Sequence, residues 1–124
     1  MSHEINLNQN QIPPFNLDKA QISQTLHIPL EVFERIVRNS FPPTERDIND
    51  LEVAVLQSDF TKIHQIAHRL KGTYSNLRIG ALSSIAEKIN DISKTTQNQE
   101  GIAQITALLK NFKTNLVEIK KLFP

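Results

Sequence analysis

The sequence predicts an all-α fold: an antiparallel up-and-down four-helix bundle with two short N-terminal covering helices. Aliphatic residues recur at intervals of three and four along most of the chain, and no segment alternates like a half-buried strand. Only 3 of the 124 residues are glycine, so few positions weaken a helix from within. Four longer apolar-periodic segments are joined by short connections, which favours antiparallel neighbours.

The N-terminal segment differs in composition from the rest of the chain. Residues 1–14 are polar, rich in Asn and Gln, and end in Pro13-Pro14. Such a segment buries too little apolar surface to offset the entropy lost on ordering. We therefore expect a flexible segment over residues 1–14 and one helical domain over residues 15–124.

Two short helices are predicted at the start of the domain. Asn16 is suited to be the N-cap of the first helix, because its side chain can accept a hydrogen bond from the first turn. Pro29 stands where the first turn of a second helix would place a proline. Asn39-Ser40 is expected to close that second helix.

The third and fourth helices are predicted to meet at Ser58-Asp59. Pro43 or Thr44 opens the third helix, and Asp59 is the expected N-cap of the fourth. The fourth helix carries the clearest apolar stripe of the chain, with alternating intervals of three and four. Its members are Phe60, Ile63, Ala67, Leu70, Tyr74 and Leu77.

Two further helices complete the predicted bundle. The fifth carries apolar residues from Leu82 to Ile92, and the sixth carries them from Ile102 to Ile119. The polar run Ser93–Glu100 is expected to be the loop between them, with Gly101 marking its end.

Composition excludes several classes of function. With 14 Lys and Arg against 13 Asp and Glu, the net charge of +1 gives no electrostatic argument for a nucleic-acid partner. Cysteine is absent, which excludes disulfides and thiolate metal sites. No run approaches the roughly 18 apolar residues of a membrane span, and no secretory signal is evident. We expect a small, cytoplasmic, monomeric domain with no membrane association.

Of the four histidines, two lie on the fourth helix. His3 and His27 are expected to be ordinary solvated side chains. At roughly 100° per residue, His68 lies roughly 130° from the centre of the apolar stripe and His64 roughly 90° from it. His68 is therefore predicted to face solvent, and His64 to lie at the boundary.

The residues after His68 are unusual for a helix surface. Gly72 lies four residues on, and a glycine inside a helix costs about 1 kcal/mol relative to alanine. It removes the side chain that would crowd the imidazole, which favours close approach by another molecule. Lys71 can bring a positive charge to whatever binds the ring.

A phosphoryl group fits this arrangement. A neutral imidazole is a nucleophile near pH 7, because its ordinary pKa is about 6.5. The negative charge of a phosphohistidine at position 68 would be partly neutralised by the ammonium of Lys71. Phosphoryl transfer needs mainly positioning and charge from a protein.

These residues also resemble a known family. The stretch Ala67-His68-Arg69-Leu70-Lys71-Gly72-Thr73-Tyr74-Ser75-Asn76-Leu77 is similar to the signature of histidine-containing phosphotransfer (HPt) domains. That signature is alanine, the phospho-accepting histidine, a spacer, leucine, lysine, glycine, small residues and a leucine. The resemblance extends over about residues 14–122, including the order of the predicted helices.

The resemblance implies a carrier rather than an enzyme. His68 would accept a phosphoryl group from the aspartate of one receiver domain and pass it to the aspartate of another, with Lys71 as charge partner and Gly72 as clearance for docking. The implied partners are receiver domains of response regulators and of a hybrid sensor histidine kinase. The receiver would supply Mg²⁺, and no cofactor or nucleotide is expected on this chain. The surrounding residues predicted to bind the partner are His64, Gln65, Arg69 and Ser75.

Two residues depart from the family pattern. The family commonly has glycine directly after the leucine matching Leu77, where this chain has Arg78, and it favours small residues at the position of Tyr74. The helical angles place Tyr74 in the apolar stripe, so we expect it in the core. Arg78 bears on how the helix ends and on the choice of partner.

Two other interpretations are open on the sequence. His64 and His68 could chelate a metal ion at i, i+4 spacing, but the chain offers no further His or Cys in the bundle helices, and a stable site needs more ligands. We therefore expect no metal site, and His64 would instead tune His68 or contact the partner. The second interpretation is a non-catalytic helical module that binds or sequesters a receiver domain or kinase.

Overall fold

A computed structural model describes residues 17–124. The described residues form five helices and no strand, which confirms the all-α prediction. The predicted flexible segment 1–14 lies outside the described residues. The helices are α1 (Lys19–Thr25), α2 (Leu30–Leu56), α3 (Phe60–Asn76), α4 (Gly80–Thr95) and α5 (Gln99–Lys121).

The prediction of two short covering helices is wrong. Only α1 is short, because the predicted second and third helices form one helix of 27 residues that continues through Pro42 and Pro43. A proline lacks the N–H that a helix interior uses, so the carbonyls four residues earlier lose their usual donors. Both prolines are exposed, where water can pair with those carbonyls, while Phe41 and Thr44 on either side are buried. Continuous packing of the inner face therefore prevails over the local break.

Capping residues set most of the helix ends. Asp18, not the predicted Asn16, caps α1, and its side chain accepts a hydrogen bond from Gln21 N–H at 3.0 Å. Asp59 caps α3 as predicted, accepting from Lys62 N–H at 3.1 Å. Pro29 is the N-cap of α2, one position before its first turn.

The connection between α4 and α5 is shorter than predicted. It spans residues 96–98, because Ser93 to Thr95 and Gln99 to Glu100 are helical rather than part of a loop. Gly101 lies in the first turn of α5, and its N–H donates to the Asn98 side chain at 3.0 Å. A Cβ on Gly101 would meet the Thr96 carbonyl oxygen at 1.8 Å, so this tight connection requires glycine.

The four long helices enclose one core. Helix α2 packs against α3 and α5, α4 packs against α3 and α5, and α1 packs against α2. The core contains aliphatic and aromatic residues from every long helix, including Phe33, Leu51, Ile66, Leu70, Leu82, Ile89, Ile105 and Phe112. No helix among residues 17–124 is both long enough and apolar enough to cross a membrane.

Ion pairs join neighbouring helices at the bundle surface. Glu52 of α2 pairs with Lys113 of α5 at 2.7 Å, and Glu45 of α2 pairs with Lys120 of α5. The order of the partners reverses between the two helices, as it does when neighbours run in opposite directions. Such exposed pairs contribute little to stability, about 0–1 kcal/mol each, and chiefly report the alignment of the helices.

Candidate functional site

Helix α3 has one buried face and one exposed face. The predicted apolar stripe faces the core, with Ile63, Ala67, Leu70 and Tyr74 each no more than 1 % exposed, while Phe60 and Leu77 at its ends are half-buried. The packing of this stripe fixes the rotation of the helix about its axis. His68 is exposed on the opposite face, as its angular position predicts.

His64 lies one turn before His68 and is half-buried. The two imidazole rings have centroids 6.0 Å apart and are tilted by 30°. Nδ1 of His64 is buried and has no hydrogen-bond partner among the described residues. The boundary position predicted for His64 is thus confirmed, with one nitrogen enclosed.

Lys71 follows His68 by three residues and is half-buried. The ion pairs among residues 17–124 involve Lys19, Arg69, Lys113, Lys120 and Lys121, and none involves Lys71. Within this part of the chain its ammonium is therefore not engaged by a carboxylate. An ammonium without an ion-pair partner is available to bind an anion on the neighbouring His68 ring.

Gly72 is exposed in the middle of the fourth turn of α3. Apart from its chain neighbours and the nearby backbone of the same helix, a Cβ at this position would meet no described atom within 4 Å. Packing among residues 17–124 therefore gives no reason for glycine here, in contrast to Gly101. Glycine lowers the stability of the helix at this position, and no contact among the described residues compensates for the loss.

Arg69 is bound within the chain. Its Nη2 and Nε donate to the two carboxylate oxygens of Asp47 on α2, at 2.7 and 3.2 Å. The hydrogen bond to Asp47 raises the pKa of Arg69 above its ordinary value. Arg69 thus ties α3 to α2 beside the exposed face, a contact that sequence spacing could not show. Gln65 and Ser75, the other predicted binding residues, are exposed.

Tyr74 lies in the core, as predicted, and its hydroxyl has partners on α2. It is hydrogen-bonded to the Thr44 hydroxyl at 2.6 Å and to the Ser40 hydroxyl at 3.1 Å. Ser40 also donates to the Val37 carbonyl, so Tyr74 donates to Ser40 and accepts from Thr44. Burial raises the pKa of Tyr74 above its ordinary value, against the opposing effect of these two hydroxyls. This network fixes the position of the C-terminal half of α3 and was not foreseen from the sequence.

Arg78 ends α3 in a left-handed conformation, with φ of 61°. Its N–H donates to the Ser75 carbonyl at 3.1 Å, and the N–H of Ile79 donates to the Tyr74 carbonyl at 2.9 Å. These two bonds form a Schellman motif, whose left-handed residue is usually glycine. Arg78 therefore stands at a position where the backbone conformation favours glycine. His27 and Ser58 occupy the same position after α1 and α2.

The exposed face of α3 thus presents a nucleophilic imidazole, a nearby cation and open space. Among residues 17–124 no group of three or more His, Cys, Asp or Glu side chains is placed to hold a metal ion. What the face can do chemically is exchange a small anionic group with a molecule that docks over it.

The family-model comparison identifies the chain. The model of the Hpt domain matches residues 35–117, which include the whole of α3 and α4 and most of α2 and α5. The chain belongs to the Hpt domain family. Comparison with curated proteins and with solved structures finds no match. Hpt domains are phosphocarrier modules of two-component phosphorelays, work through a phosphohistidine and interact with receiver domains.

Proposed function

We propose that this Hpt domain carries a phosphoryl group on His68 between the aspartates of receiver domains. The observation that supports this most directly is the placing of an exposed His68 opposite the buried stripe of α3, beside a Lys71 that no described carboxylate engages. A histidine kept only for packing would face the core, whereas His68 is exposed. Lys71 follows it by three residues, a spacing that places the two side chains on neighbouring positions of the helix surface.

The transfer step needs one nucleophile and one leaving group. A ring nitrogen of neutral His68 uses its lone pair to attack the phosphorus of an aspartyl phosphate on the receiver. The P–N bond forms, the P–O bond to the aspartate breaks, and the aspartate leaves as a carboxylate. The return step to a second receiver reverses these changes. The receiver supplies Mg²⁺ in both directions, and this chain binds no nucleotide or other cofactor.

Lys71 and Gly72 have separate roles in the proposal. The Lys71 ammonium offsets the negative charge that arrives on His68, since a charge-assisted hydrogen bond to phosphate is roughly twice as strong as a neutral one. Gly72 leaves the surface beside His68 free of side chain, so a receiver backbone can approach closely. Gln65, Arg69 and Ser75 form the surrounding contact surface, with Arg69 held in place by Asp47.

The same proposal covers the organisation and partners of the chain. Residues 15–124 act as one domain, monomeric and cytoplasmic, whose four long helices run up and down in alternation. The reversed order of the α2 and α5 ion pairs supports that arrangement. The proposed partners are receiver domains of a hybrid sensor histidine kinase and of response regulators.

The decisive experiment is phosphoryl transfer from a purified receiver domain that has been phosphorylated with acetyl phosphate and Mg²⁺. We expect acid-labile, base-stable label on the wild-type chain and none on His68→Gln, with unchanged circular dichroism. His27→Gln is the matched control and should be labelled like the wild type. Label that persists in His68→Gln would refute the assignment. Tight binding of the receiver without transfer in either direction would instead support the non-catalytic module.

The clearance role of Gly72 has its own test. Gly72→Trp should fold, because Gly72 is exposed and a Cβ there would meet no atom of another described element within 4 Å. It should nevertheless abolish receiver binding measured by calorimetry. Gly72→Ala is the matched control, with a stability gain of up to about 1 kcal/mol and much weaker interference. Normal transfer by Gly72→Trp would refute the clearance role.

A further inference from the structure

We infer that His64 is a second hydrogen-bond donor of the site, and that its Nε2–H holds an oxygen of the phosphoryl group carried by His68. The inference rests on the proposed carrier function and adds a residue with a defined atom and protonation form. It places a neutral N–H donor one turn before His68 and the Lys71 ammonium one turn after it.

The first support is the relation of the two rings. Their centroids are 6.0 Å apart, with planes tilted by 30°, and no hydrogen bond joins them directly. The separation is too wide for a bond from ring to ring. It leaves room for a phosphoryl oxygen between the two imidazoles.

The second support is the enclosed nitrogen of His64. Nδ1 is buried and has no partner among residues 17–124, so a hydrogen on Nδ1 would be a buried donor with no acceptor there. Either neutral tautomer leaves Nδ1 unpaired, at about 1–3 kcal/mol, but a buried N–H without a partner is rarer in proteins than a buried acceptor without one. The hydrogen is therefore assigned to Nε2, the nitrogen that is not enclosed. His64 thus keeps its one N–H on the nitrogen that is not enclosed, with the two ring centroids 6.0 Å apart.

The third support is the placing of His64 and Lys71 on one side of His68. At roughly 100° per residue, positions 64 and 71 are only roughly 20° apart around the helix, one before and one after His68. Arg69, which pairs with α2, lies roughly 150° away from them. His64 and Lys71 therefore lie on the side of α3 away from Arg69, one turn before and one turn after His68. In the proposal, the receiver domain docks on the surface of α3 at Gly72.

The test is the equilibrium distribution of phosphoryl groups between His68 and a receiver domain. Both proteins are dilute, so docking affinity affects the rate but not the final distribution. His64→Leu keeps the bulk and removes the donor, and should shift the distribution towards the receiver by about 3- to 10-fold, the loss of one hydrogen bond. His64→Gln retains an N–H donor and should recover most of the shift. Thr61→Leu is the matched control, an exposed polar residue of the same helix, and should leave the distribution unchanged.

Nitrogen NMR of the unphosphorylated chain gives a readout that does not depend on transfer. We expect the neutral His64 ring to show the hydrogen on Nε2. A hydrogen on Nδ1, or a distribution in His64→Leu within twofold of wild type, would overturn the inference while leaving the carrier function intact. Absence of label on the folded wild-type chain would overturn both.

Discussion

The two faces of α3 meet different requirements within one helix. On the inner face, Leu70 and Tyr74 are buried, and the Tyr74 hydroxyl is hydrogen-bonded to two hydroxyls of α2. On the outer face, His68 is exposed, and no contact within residues 17–124 requires glycine at position 72. Contacts within the chain explain the inner face, whereas we propose that docking of a receiver domain explains the outer face.

This contrast separates stability from function along the sequence. Inner-face positions should change the free energy of unfolding with little effect on the chemistry of the folded molecules. Outer-face positions should change transfer with little effect on unfolding. Four substitutions test the separation, from the largest expected change in stability to the smallest.

Leu70→Ala should have the largest effect on stability. Leu70 is 1 % exposed, and removing a buried leucine side chain costs about 2–5 kcal/mol. Urea unfolding measures the loss, and phosphorylation per folded molecule should stay near wild type. A loss of less than about 1 kcal/mol in the free energy of unfolding would contradict the proposed separation of stability from function. Folded Leu70→Ala protein that is not phosphorylated would contradict it as well.

Tyr74→Phe should lower the free energy of unfolding at neutral pH. It should also remove the part of the stability loss at alkaline pH that comes from Tyr74. The substitution leaves the buried Thr44 hydroxyl without its acceptor, at about 1–3 kcal/mol. Burial raises the pKa of Tyr74 above its ordinary 10.0. Above that value the unfolded chain releases the proton while the folded chain retains it, so stability falls as pH rises.

The alkaline effect can be assigned to one side chain. Tyr74 is the only tyrosine and tryptophan is absent, so near-ultraviolet absorbance follows its ionisation alone. The free energies of unfolding of wild type and Tyr74→Phe are measured in urea at pH 9 and at pH 11. Subtracting one protein from the other at each pH cancels the contribution of the lysines, which both proteins share. An unchanged difference between these two pH values would contradict the prediction.

Arg78→Gly should stabilise the chain. A left-handed conformation costs a non-glycine residue about 1–2 kcal/mol, so we expect a gain of about 1 kcal/mol after the greater chain entropy of glycine is subtracted. Arg78→Ala keeps the unfavourable conformation and is the matched control, with no gain expected. Thermal unfolding measures both variants. Equal stability of the Gly and Ala variants would contradict the conformational explanation.

Lys71→Ala should affect stability least and transfer most clearly. Its ammonium has no ion-pair partner among residues 17–124, so we expect less than about 0.5 kcal/mol in urea unfolding. Transfer should slow about tenfold, the equivalent of one charge-assisted hydrogen bond. Lys62→Ala, an exposed lysine earlier in the same helix, should transfer normally. A large loss of stability in Lys71→Ala would make Lys71 a structural residue.

Sequence patterns predicted much of the fold and of the site for a physical reason. Helical spacing fixes which side chains share a face, so the buried stripe of α3 and the exposure of His68 follow from counting residues. The Asp59 cap is equally local, since an N-cap acts within its own first turn. Such features depend on residues a few positions apart, and the sequence contains them directly.

Other features depend on residues far apart in the chain, and only the tertiary structure decided them. Helix α2 continues through Pro42 and Pro43 because Phe41 and Thr44 remain buried on either side of the local break. The hydroxyl of Tyr74 finds its partners 30 and 34 positions earlier, and Arg69 finds Asp47 22 positions earlier. Local preferences of about 1–3 kcal/mol are outweighed when many such contacts act together, so propensity alone could not set these positions. The sequence by itself determined the helical stripes and the outward histidine, and packing between distant helices determined what surrounds them.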